Sequence, residues 1–156
     1  SGDAGSVRND SGQFLWPTFG RISAYFQSND SVHKGHHDGV DIAAPFGTKI
    51  MAISDGVVKE IRNSCPHNYG KRGNCCGNGY GNYVIIDHGK DSKGTIYVAW
   101  YAHMQSVAVS AGQRVKKGQI IGYVGSTGWS TGSHLHFGLK VNNIWRDPML
   151  YYTKVN

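Results

Sequence analysis

From Phe14 onward the chain alternates short apolar stretches with clusters of Gly, Asn, Asp and Ser. Period-two alternation bounded by such clusters is the mark of strands and turns. It predicts strands over residues 48–53, 56–62, 82–88, 95–102, 119–124 and 134–141. No stretch between them carries an apolar pattern of helical period. Residues 1–13 are polar and read as a flexible N-terminal segment, leaving 14–156 as one domain without internal repeats. Residues 125–133 are broken up by Ser and Gly and read as loop. Residues 63–81, rich in Gly, Asn, Cys and Lys, read as a long loop inserted between two strands, a length that is uncommon unless the loop is functional or stapled. The expected fold is mostly β: antiparallel sheets forming a sandwich or distorted barrel with a groove, long loops and little helix.

The last predicted strand, HLHFGLKV, shows what such a pattern does with chemistry. Side chains of a strand alternate between faces. Leu135, Phe137, Leu139 and Val141 therefore anchor one apolar face, and His134, His136, Gly138 and Lys140 share the other. Two neighbouring imidazoles suit a divalent metal or acid–base work; equally they suit a solvated strand face. Tyr97, Ala99, Tyr101 and His103 likewise share a face of the strand over 95–102, with His103 at its end. In GHHDGVD, His37 and Asp41 lie four apart, roughly 13 Å in a straight strand at about 3.3 Å per residue. Two ligands of one ion cannot be that far apart, so joint binding requires a bend, which Gly39 at the midpoint tolerates. The Gly39 and Asp41 spacing selects His37 over His36. His33, His36, His67 and His88 receive no role; His88 lies in the turn-like Asp87-His88-Gly89.

Composition narrows the class. The chain has 156 residues, and its 22 glycines are about twice the usual ~7%. An aromatic share of 12% is too high for a disordered chain. No apolar run is long enough for a membrane-spanning helix. The opening SGDAGS reads as a cut linker, and no export leader is visible. A net charge of +6 favours anionic partners: nucleic acid, membrane headgroups and the acidic polymers of a bacterial wall all qualify. There is neither a dense Lys/Arg block nor a recognition-helix pattern, which argues against specific nucleic-acid binding. Cys65, Cys75 and Cys76 are an odd set in one short segment. A short disulfide from Cys65 to Cys75 or Cys76 is favoured over free thiols, and a second metal site with His67 lacks the paired spacings of structural zinc.

Taken together, H-x-G-x-D, then Y-x-H, then H-x-H, resemble the lysostaphin-type zinc endopeptidases that cut bacterial peptidoglycan. The resemblance runs through GHHDGVDIAAPFGTKIMAISDGVV, GNYVIIDHG, YAHM and GQRVKKGQIIGYVGSTGWSTGSHLHF, from about Gly35 to Asp147. It implies that His37, Asp41 and His136 bind one Zn²⁺, and that His103 and His134 are unliganded catalytic histidines, leaving open which is the base. It implies hydrolysis of peptide stems or cross-bridges through a metal-activated water, by a monomer working outside the cell, in the envelope or on a phage particle. Tyr101 and Trp129 are candidates to line the groove or simply to pack. Ser133 and Gly138 depart from the family, which often has Pro and an acidic residue there. The alternatives are a non-catalytic wall-binding or activator module of the same fold, a zinc D,D-carboxypeptidase, and a protease of Gly-rich host proteins.

Overall fold

The computed structural model describes residues 7–8, 14–26, 38–65, 79–128, 130 and 132–154. Along the chain run β1 (Val7–Arg8), β2 (Arg21–Ala24), β3 (Val40–Ala43), β4 (Lys49–Met51), β5 (Gly56–Arg62) and β6 (Asn82–Lys90). They are followed by β7 (Ile96–Val107), β8 (Arg114–Val115), β9 (Ile120–Val124), β10 (His134–Val141), β11 (Ile144–Arg146) and β12 (Thr153–Lys154). Helical structure is short: a 3-10 helix over Pro148–Tyr151, where the Asp147 carboxylate accepts from the Met149 N–H at 3.0 Å. β5 and β10 fall where alternation predicts them. β2, β3, β8 and β11 have two to four residues each, too few to display a period, and the sequence reading lacks them. Within the N-terminal stretch read as flexible, Val7–Arg8 pairs with Thr153–Lys154.

The main sheet runs β2-β3-β10-β7-β6-β5-β8, with β11 added to β10 and with β9 bridging β7 to β4. All of these pairings are antiparallel. The expectation of a mostly β, antiparallel molecule with little helix holds; the sheet does not close into a barrel. One face is apolar. Val40 and Ile42 from β3, Val84 and Ile86 from β6, Ala99 and Tyr101 from β7, and Leu135, Phe137 and Leu139 from β10 are fully buried. They pack with Trp16, Ile50, Ile53, Ile121 and Val124. Each large apolar side chain removed from water contributes about 1.5–3 kcal/mol, so this layer fixes the registers of β3, β10 and β7.

β7 is the longest strand, with twelve residues, and it has two sets of neighbours. Tyr97 to Ala102 pair with β10, whereas Met104, Ser106 and Val107 pair with β9. His103 stands at the changeover with φ of 60°. A left-handed conformation costs a non-glycine residue roughly 1–2 kcal/mol.

The loop read as an insertion, 63–81, is described only at its ends. Cys65 is disulfide-bonded, as the staple reading expects, and its N–H donates to Asn82 Oδ1 at 2.9 Å. Cys75 and Cys76 lie outside the described residues, as does His67. Among the described residues no helix is long and apolar enough to cross a membrane.

Candidate metal centre

β10 carries the site because it is flanked on both sides. His136 lies opposite Asp41 of β3 and opposite Ala102 of β7, and His134 lies opposite Ala43. Directly opposed residues of antiparallel strands share a face. Asp41 and His136 are therefore brought together by strand register, with Val40, Ile42, Leu135 and Phe137 holding that register from the core. Asp41 is 8% exposed and His136 4%.

Gly39 contributes by close approach. A Cβ there would stand 2.4 Å from the Phe137 carbonyl oxygen and 3.0 Å from Gly138 Cα. The sequence reading gave Gly39 the task of permitting a bend; in the structure its lack of a side chain lets the chain just before β3 lie against β10.

His103 reaches the same site by an unexpected route. Simple alternation puts it on the face of Tyr101. Tyr101 is fully buried on the core face, its ring centroid 5.6 Å from that of Phe137. The left-handed backbone at 103 interrupts the alternation and turns the imidazole to the opposite face. Its ring centroid stands 4.7 Å from that of His134 and 6.0 Å from that of His136. Of the two readings of Tyr101, packing holds and groove-lining does not: it is buried in the core, and its hydroxyl accepts the Ile53 N–H at 3.2 Å. Trp129 lies outside the described residues.

The hydrogen bonds fix both outer rings. His103 Nδ1 is 2.7 Å from the Thr127 carbonyl, and His134 Nδ1 is 2.9 Å from the Gly132 carbonyl. A carbonyl only accepts, so in each ring Nδ1 holds a proton, and in the neutral ring Nε2 carries the lone pair. Thr127 is itself tied down, its hydroxyl donating to the Met104 carbonyl at 2.7 Å and accepting the Asn82 N–H at 3.0 Å. His134 is steadied further by Ser130, whose hydroxyl lies 3.2 Å from Nδ1 and accepts from Ser126.

The electrostatics separate the rings. Burial, together with the neighbouring His134 and His136, pushes His103 down to about 3, so it is neutral at ordinary pH. Burial acts on His136 in the same direction, but contacts with Asp38 and Asp41 outweigh it and lift the ring to about 9. Asp41 Oδ1 is 3.1 Å from His136 Nδ1 and 3.6 Å from His134 Nε2. Asp38 Oδ1 is 2.8 Å from His136 Nε2, an ion-pair contact rather than a linear hydrogen bond. Tyr80 donates its hydroxyl to Asp38 Oδ2 at 2.5 Å and lays its ring beside His136, centroids 5.6 Å apart. Burial and the Asp38 carboxylate push the Tyr80 hydroxyl well above the usual phenol range.

Of the five residues singled out from sequence, Asp41, His103, His134 and His136 come together; His37 lies outside the described residues. Among the described residues no set of three His, Cys, Asp or Glu side chains is arranged to hold a metal. The pair Asp41 and His136 does fit one. Two ligands each about 2.0–2.2 Å from a tetrahedral zinc stand roughly 3.4 Å apart, close to the observed 3.1 Å. Carboxylate oxygen and imidazole nitrogen are the donors such an ion takes. Asp38 and Tyr80 were missed. Asp38 sits inside the quoted motif at a position marked x, and Tyr80 closes a loop read only for its length.

Comparison with known proteins gives a consistent answer. The model of peptidase family M23 matches residues 35–148. The peptidoglycan DD-endopeptidase ShyA of Vibrio cholerae is 41% identical over 105 residues, 67% of this chain and 20% of ShyA. The crystal structure of a zinc containing peptidase from Vibrio cholerae superposes with a TM-score of 0.66 at 32% identity, covering 86% of this chain and 38% of that one. The catalytic domain of the antimicrobial peptidase lysostaphin from Staphylococcus simulans superposes with a TM-score of 0.63 at 34% identity, covering 82% of this chain and 87% of that domain. The chain thus spans about a fifth of the length of ShyA, but most of the lysostaphin catalytic domain.

Proposed function

Because the chain belongs to peptidase family M23, we propose that it is a zinc-dependent endopeptidase acting on the peptide stems or cross-bridges of bacterial peptidoglycan. The observation that carries the reading is the convergence of Asp41, His136, His134 and His103 on one face of the sheet, from three adjacent strands. Asp41 and His136, joined by His37 on the strength of the motif alone, are the metal ligands. Zinc bound there would polarise a peptide carbonyl and bring the pKa of water toward ~7.

The remaining work falls to His103 and His134. Each keeps its proton on Nδ1 against a fixed carbonyl, so each offers Nε2 as an acceptor. One ring takes the proton of the attacking water at Nε2 and returns it to the departing amine; the other, also an acceptor, orients that water, and the charge developing on the carbonyl oxygen would be met by zinc. Ser130 and Thr127 keep the rings from turning. The +6 charge suits retention on anionic wall polymers outside the cell or in the envelope, weakening as salt rises.

The test is digestion of defined muropeptides with mass identification of the products, with and without chelator and with zinc restored. Internal amide cleavage that chelation removes and zinc returns supports the reading. Release of a terminal residue alone would make it a carboxypeptidase, zinc binding without turnover a wall-binding module, and chelator-insensitive cleavage would remove the metal from the reaction.

A further inference from the structure

The two carboxylates around His136 are not equivalent. An imidazole's nitrogens point away from each other, and here each has its own acid: Nδ1 faces Asp41 at 3.1 Å and Nε2 faces Asp38 at 2.8 Å. An ion shared by Asp41 and His136 therefore sits on the Nδ1 side. That leaves Nε2 to carry the ring's proton, in ion-pair contact with Asp38 rather than in a linear hydrogen bond. Ligand histidines are commonly steered in this way by a carboxylate on the far nitrogen, which fixes the tautomer and raises the ring's donor strength. Asp38 is steered in its turn: Tyr80 donates to its second oxygen at 2.5 Å. Tyr80 is placed by its ring contact with Trp100, centroids 5.3 Å apart, and by its carbonyl, which accepts the His103 N–H at 2.8 Å.

We propose that Asp38 and Tyr80 form a positioning pair for the metal centre, in which Tyr80 holds Asp38 and Asp38 holds the Nε2–H tautomer of His136 so that Nδ1 faces the ion. The proposal rests on the metal site advanced above and extends it to two residues that touch neither the ion nor the substrate. The same carbonyl–amide contact links the pair to His103, so one short segment before β6 supports both a ligand and an acid–base ring.

The test uses zinc affinity, measured by chelator competition, and ¹⁵N NMR of the imidazoles in the zinc-loaded protein. In the wild type the His136 signals should show a proton on Nε2 and metal on Nδ1. Asp38→Asn should weaken zinc binding by about tenfold and Asp38→Ala by up to about 100-fold. Tyr80→Phe, which removes only a hydroxyl, should weaken it by roughly two- to tenfold. A merely structural role would shift melting while leaving zinc affinity and the ring's proton assignment untouched. Zinc affinity within twofold of wild type in both Asp38 variants, or metal on Nε2 in the wild type, overturns the proposal. If the wild type binds zinc and cleaves while the variants bind equally well, this pair alone is refuted; if the wild type binds no zinc, the metal centre itself falls with it.

Discussion

Two histidine sites on one sheet invite comparison. His88 on β6 and His103 on β7 are both drawn down by burial, to about 4 and about 3 respectively. Yet His88 spends both nitrogens on fixed partners. Nδ1 lies 3.1 Å from the Asp55 carbonyl, and Nε2 lies 3.0 Å from the Tyr101 hydroxyl, whose own acceptor side takes the Ile53 N–H. Its hydrogen-bonding capacity is used up within the fold. His103 and His134 each commit Nδ1 to a carbonyl, and His134 Nε2 stands 3.6 Å from Asp41 Oδ1. Burial lowers both rings; what distinguishes the candidate centre is the convergence of several rings and carboxylates.

The sharpest way to break this contrast is substitution within the centre. Asp41→Ala or His136→Ala should reduce bound zinc from about one equivalent to none and take hydrolysis to background, as metal analysis and muropeptide turnover will show. His103→Ala or His134→Ala should keep the zinc and lose about 10²–10⁴-fold in turnover. A His134→Ala enzyme that retains both zinc and full turnover would remove the role assigned to that ring.

The His88 network makes the complementary prediction, on stability. The unfolded ring takes its proton near its ordinary value of about 6.5, whereas the folded ring resists protonation until about 4. Between those limits the unfolded state binds more protons, so this contribution is complete above about pH 6.5 and is lost as pH falls through about 4. Chemical denaturation should show the wild type losing on the order of 2–3 kcal/mol more than His88→Gln over that interval, with turnover per folded molecule at neutral pH unchanged. Parallel pH curves for the two proteins would show that burial does not hold His88 neutral.

The smallest effect concerns the backbone at 103. Because φ is 60° there, His103→Gly should be more stable than His103→Ala by about 1 kcal/mol, the reverse of the usual order in strands. Equal melting of the two variants would show that the chain relaxes out of the left-handed conformation once the imidazole is gone.

How much of this was legible in the residues follows the same division. HLHFGLKV announced its strand, its two faces and its two imidazoles, because eight residues of strict alternation leave little choice. β3 was not legible: Val40 and Ile42 are core residues, but four residues amid Gly, His and Asp look like a turn. The partnership of Asp41 with His136 was reached through motif resemblance; the structure supplies its physical basis in directly opposed strand positions. His103 was singled out yet assigned the face of Tyr101, because alternation cannot foresee a left-handed residue within a strand. Asp38 and Tyr80 were not legible at all, since their contact joins residues 42 positions apart across a loop that carries no periodic signal.

The changeover in β7 has a mechanical consequence. The strand belongs to β10 before residue 103 and to β9 after it, so the imidazole is mounted on the pivot between two hydrogen-bonded ladders. Sliding either ladder by one residue would rotate that ring away from His134 and His136. Insertions or deletions within 96–107 should therefore be far more damaging to turnover than changes of similar size in the turn at 91–95, and efforts to recast substrate preference are best directed at the rim loops, leaving this axle in place.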